Sequence, residues 1–110
     1  MAGGAALTRG EIWWAAFAPP DKTRPVLLVS RVDAFARRQF ITVAAVTTRM
    51  RQIPSEVQLG PSEGVPRKSV VNCDDLRTIP KRILLRRIGA LGAAKLTELD
   101  EALKFALGLE

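Results

Sequence analysis

The chain has no histidine and no tyrosine, one cysteine, and no apolar run long enough to cross a bilayer. Without histidine there is no imidazole to act as a general acid or base. A zinc site would have to be assembled mostly from carboxylates, and these are scattered apart from Asp74-Asp75 and Asp100-Glu101, so neither metal nor cofactor chemistry is expected. Cys73 has no partner for an internal disulfide. The opening MAGGAALTRG has neither the basic start nor the apolar core of a secretion signal, which points to the cytoplasm, away from membranes.

What is present is compact and basic. The 110 residues suit one domain, with residues 1–8 read as a flexible lead-in, and the apolar share of 47% is too high for a disordered chain. Seventeen Lys and Arg face eleven Asp and Glu, giving a net charge of +6. Residues 95–110 hold only Lys95 and Lys104 against Glu98, Asp100, Glu101 and Glu110, so residues 1–94 carry fifteen cations and seven acids. The body is therefore the basic part, suited to a polyanionic partner, and the C-terminal stretch is a separate acidic element.

Hydrophobic periodicity gives the elements. Ile12, Trp14 and Ala16 on one face, with Trp13, Ala15 and Phe17 on the other, and the bulk of the aromatics predict a strand over Glu11–Phe17, broken by Ala18-Pro19-Pro20-Asp21-Lys22-Thr23. The continuous apolar run Pro25–Ser30 predicts a strand buried on both faces, and Phe40–Val46 predicts a third. Between them the basic stretch 31–39 reads as a loop or a single helical turn. Short strands follow at Ser55–Leu59, Ser69–Asn72 and around Arg86-Arg87-Ile88, separated by the turn-rich Gly60–Pro66 and halted by Pro80. From Ala93 to Leu107, leucines recur at helical spacing, and Asp100 and Lys104 stand four apart in the favourable order. Thr97 and Asp100 have capping-box spacing but lie inside the helical pattern, where a cap has no role. The expectation is a mainly β domain with a C-terminal α-helix, folded as a small barrel, with two tryptophans available for a dimer interface.

The segments RGEIWW, TRPVLLVS, ITVAAVTT, IPSEV, SVVNCDDLRTI and KLTELDEALKFALGL, in this order and spacing, resemble the MazF (PemK-like) family of bacterial toxins along nearly the whole chain. The resemblance implies the SH3-like barrel shared by MazF and CcdB toxins and a homodimer. It also implies a sequence-specific, metal-independent endoribonuclease that cuts single-stranded RNA and is silenced by a cognate MazE-like antitoxin. It assigns catalysis to Arg24, of the Arg-Pro pair, and to Thr47, at the end of the third strand. The chemistry is consistent with those residue types. RNA brings its own nucleophile, the 2′-hydroxyl, so the enzyme need only stabilise charge on the phosphate, for which a guanidinium fork and a hydroxyl are suited.

Around that pair the expected RNA contacts are Phe17, Lys22, Thr48, Arg49, Arg51, Asp75 and Arg77. Phe17, beside the first loop, is the stacking candidate, whereas Trp13 and Trp14 read as core or dimer interface. Cys73 reads as a small buried apolar residue. Three departures from the family pattern bear on specificity: the first loop, APPDKT, is short; Asp74-Asp75 stands where Glu-Gln is common; and residues 31–39 lack an Asn-rich start. Two other readings use the same fold: a CcdB-like toxin that grips gyrase through its C-terminus, which ends here in Gly108-Leu109-Glu110 without the Trp-Gly-Ile type of ending, and a noncatalytic basic RNA-binding module.

Overall fold

The computed structural model describes residues 6–20 and 22–109. Six strands form one sheet: β1 (Glu11–Ala16), β2 (Thr23–Leu28), β3 (Phe40–Thr47), β4 (Glu56–Leu59), β5 (Ser69–Pro80) and β6 (Leu84–Ala90). Two helices complete the domain, α1 (Val32–Arg37) between β2 and β3 and α2 (Ala93–Leu107) after β6. The strand order is β4-β5-β3-β2-β1-β6 and every pairing is antiparallel, so the sheet curls into a half-barrel with β4 and β6 at its edges.

Strict alternation along the central strands builds a core on each face of the sheet. Ile12, Leu27, Ala44 and Val46 point to one face, where Leu99 and Ala102 of α2 cover them. Trp13, Ala15, Val26, Leu28 and Val43 point to the other, where Phe35 of α1 packs. This is why Val26, Leu27 and Leu28 are all buried in succession, as their unbroken apolar run predicts.

Helix α2 matches its expected bounds, but its ion pairs do not follow the expected spacing. Asp100 pairs with Arg9, 2.8 Å away on the N-terminal turn, and Lys104 pairs with Glu101 at 3.6 Å. Arg9 also donates to the Val29 carbonyl, so one side chain ties α2 to the end of β2. Gly108, left-handed at φ 70°, ends the helix, and the Leu109 N–H closes back on the Lys104 carbonyl at 2.7 Å. Thr97 bonds the Ala93 carbonyl within the helix and caps nothing.

The basic stretch before β3 does form a helical turn, with Asp33 in its first turn and Arg37 in its last, each suited to the helix dipole. The fifth strand is much longer than Ser69–Asn72. Its pairing with β3 slips between Ala44 and Ala45, leaving Cys73, Asp74 and Asp75 unmatched in a bulge, after which the ladder resumes and runs to Pro80. Charged residues in that bulge masked the strand's continuation. Residues 1–5 of the expected lead-in lie outside the described residues; Leu7 is buried in the same core as Trp13 and Phe35, and the Thr8 N–H donates to Glu11.

Candidate active site

Arg24 and Thr47 come together where β2 begins and β3 ends. The β2–β3 ladder pairs Val26 with Ala45, and continuing that register by two residues sets Arg24 opposite Thr47. The β2–β3 ladder itself stops at Val26, because Pro25 has no N–H to donate. Arg24 and Pro25 remain paired to Ala15 and Trp14 on β1, so β2 is held on one side and released on the other. The expected loop-to-strand junction thus lies two residues earlier, and Arg24 is mounted on a strand.

Where the strands part, two pockets open, and both are lined by Arg24, Pro25, Val46 and Thr47. The first, of about 280 Å³, lies on the α2 side and is walled by Trp14, Ile88, Val65, Pro66 and Arg67. The second, of about 190 Å³, lies on the α1 side and is walled by Phe17, Val43, Asp75 and Arg77. Arg24 and Thr47 therefore form a ridge shared by the two clefts. The Thr47 hydroxyl oxygen accepts the Arg49 backbone N–H at 3.1 Å, which occupies an acceptor position and leaves its own proton for a further acceptor.

The second pocket carries its own fixed polar group. Arg77 Nε and Nη2 donate to the two carboxylate oxygens of Asp75 at 3.1 and 3.3 Å, and the guanidinium lies over the Phe17 ring, 5.5 Å from its centroid. The β5 bulge is what brings Asp75 here. Its neighbour Asp74 turns the other way and accepts the buried Ser55 hydroxyl at 2.6 Å.

The width of the first pocket is set by two glycines. Gly64, at φ 89°, follows a 3-10 turn at Pro61–Glu63, and a Cβ there would lie 2.6 Å from the Ile88 carbonyl oxygen. A Cβ on Gly89 would run into the Glu63 carbonyl oxygen. Backbone thus rests on backbone, drawing Val65 and Pro66 against Ile88. The turn is held by the Glu63 carboxylate, which is 8% exposed and accepts the Gly60 N–H at 2.7 Å.

The structure divides the expected RNA contacts. Phe17, Thr48, Asp75 and Arg77 line the two pockets with Arg24 and Thr47. Lys22, Arg49 and Arg51 are exposed and line neither. Lys22 has a positive φ of 61° in the first loop, and the Arg51 backbone N–H is held by Glu56 at 2.9 Å. Trp13 is core, 6% exposed, but Trp14 is half-buried and forms a pocket wall, so the pair splits between the two faces. Arg67 and Ser69 also line the first pocket, and no periodic signal in the sequence marks them, because the glycine contact that seats them is made across the chain. Cys73 is buried, and burial, aided by the Asp74 charge, pushes its thiol from an ordinary 9.0 up to about 11.

Comparison with known proteins agrees with this architecture. The model of the PemK-like, MazF-like toxins of type II toxin–antitoxin systems matches residues 8–107. A Mycobacterium tuberculosis protein described as probable endoribonuclease MazF5 is 37% identical over 100 residues, spanning 90% of this chain and 91% of its own. The solved structure of M. tuberculosis toxin MazF-mt6 superposes with a TM-score of 0.84 at 37% identity, over 91% of this chain and 98% of that one. A mycobacterial endoribonuclease solved with its cognate antitoxin gives a TM-score of 0.86 at 28% identity, over 96% and 98%. The chain belongs to the PemK-like, MazF-like toxins of type II toxin–antitoxin systems, the family of the endoribonucleases it matches.

Proposed function

We propose that this toxin cuts single-stranded RNA at the ridge formed by Arg24 and Thr47, with no metal taking part. The 2′-oxygen attacks the adjacent phosphorus, the P–O5′ bond breaks, and the products are a 2′,3′-cyclic phosphate and a 5′-hydroxyl. Arg24 stabilises the charge that accumulates on the five-coordinate phosphate, and Thr47 supplies a hydroxyl donor at the same centre. The observation that carries this reading is that both side chains line both pockets, so a phosphate on the ridge has room for a nucleotide on either side. Phe17, Thr48, Asp75 and Arg77 hold those nucleotides, while Lys22, Arg49 and Arg51 act from outside the pockets as exposed positive charge.

The toxin works in the cytoplasm as a homodimer and is silenced by a MazE-like antitoxin whose acidic segment lies over the same ridge. The mycobacterial neighbour solved with its antitoxin supports such a partner. The test is incubation of the purified protein with a long single-stranded RNA in EDTA, followed by mapping of the ends. Discrete cuts bearing cyclic phosphates are expected; retention of RNA without cleavage would reduce the protein to a binding module.

A further inference from the structure

Trp14 borders a third depression that the ridge does not touch. This pocket, of about 260 Å³, is lined by Trp14, Thr23, Leu85 and Arg86. Trp14 is also a wall of the first pocket, so this residue is common to the two. The sheet register explains the row: Trp14 on β1 pairs laterally with Pro25 on β2 and with Arg86 on β6. Three openings therefore follow one another across the sheet end: the second pocket, the first pocket beyond the Arg24–Thr47 ridge, and the third past Trp14.

The third pocket combines what single-stranded nucleic acid needs. An aromatic ring supplies a stacking wall that any base can use, and a cation meets the backbone. Leu85 is 42% exposed although large and apolar, and lies beside that wall. Arg86 is exposed on the edge strand, with the Thr23 hydroxyl in the same pocket.

We propose that this pocket is an outer nucleotide subsite on the same RNA strand, one step beyond the first pocket, with the base against Trp14 and Leu85 and the phosphate at Arg86. The inference rests on the nuclease reading above and deepens it. It makes recognition asymmetric about the cleaved bond, reaching further on the first-pocket side than on the Asp75 side.

The test uses RNA oligonucleotides carrying one mapped cleavage site, lengthened one nucleotide at a time at either end. For the wild type, kcat/KM is expected to rise at least about fivefold when the outer nucleotide is added at one end only. An abasic nucleotide at that position should forfeit the gain, which tests stacking without altering Trp14. Arg86→Ala should lose the gain yet cut the shortest substrate as the wild type does. The same series in uncleavable 2′-deoxy form, read by fluorescence anisotropy, should show the same one-ended step in affinity. Equal gains at both ends, a gain indifferent to the base, or an Arg86→Ala defect uniform across lengths would overturn the subsite. So would an Arg86→Ala effect confined to antitoxin affinity. If no oligonucleotide is cut while the one-ended step in binding persists, the nuclease reading fails and the subsite stands.

Discussion

A guanidinium assists phosphate chemistry only when its fork is held where charge develops, and Arg24 owes its position to the residue after it. Pro25 frees the β2–β3 gap, while the pairing to β1 keeps Arg24 on a strand. Arg24→Ala and Thr47→Ala should each lower cleavage about a hundredfold to a thousandfold, the loss typical of one transition-state donor. Stability should stay within about 1 kcal/mol, as Arg24 is exposed and Thr47 half-buried, which urea titration will check. Asp75→Asn offers an amide where a carboxylate only accepts, so mapped cleavage motifs should change at one position while Arg24 and Thr47 still act. For Cys73 the neutral thiol is the form the fold favours. The stability this contributes is complete below pH 9.0, the unfolded value, and is lost as pH rises through about 11. Thiolate absorbance should accordingly develop late in an alkaline titration of the native protein, and early in denaturant.

At the scale of elements, strong periodicity was readable and interruption was not. Helix α2 and the strands β1 to β3 stand in the sequence because their faces alternate without a break, and their leucines, valines and aromatics report it. Strand β5 looked short because its bulge places Asp74 and Asp75 in mid-strand, where ladder reasoning ends a strand. Arg24 and Thr47 were legible through family resemblance, since no local property of an arginine or a threonine distinguishes them. The Trp14 wall was hidden because two adjacent tryptophans on a strand take opposite faces, and composition does not say which face is covered. Leu99 is fully buried in the core that α2 covers, and it is the larger of that helix's two buried side chains, the other being Ala102. Leu99→Ala should cost about 2 to 5 kcal/mol, measurable by thermal or denaturant unfolding.

On the whole molecule, charge and stability draw on different regions. The cationic surplus sits in residues 1–94, while α2 exposes Glu98, Asp100 and Glu101. Inhibition by an acidic antitoxin should therefore weaken as salt is raised, a dependence that titration calorimetry at several ionic strengths will reveal; an insensitive affinity would remove the electrostatic account. The contact between Gly64 and Gly89 has a practical corollary. A library of random variants screened for bacteria that survive expression would collect replacements at these two glycines beside those at Arg24, though neither glycine lines the pockets beside Arg24 and Thr47. Harmlessness in such a screen thus mixes lost chemistry with lost architecture, and survivors need sorting by whether they still fold before any is credited with a catalytic role.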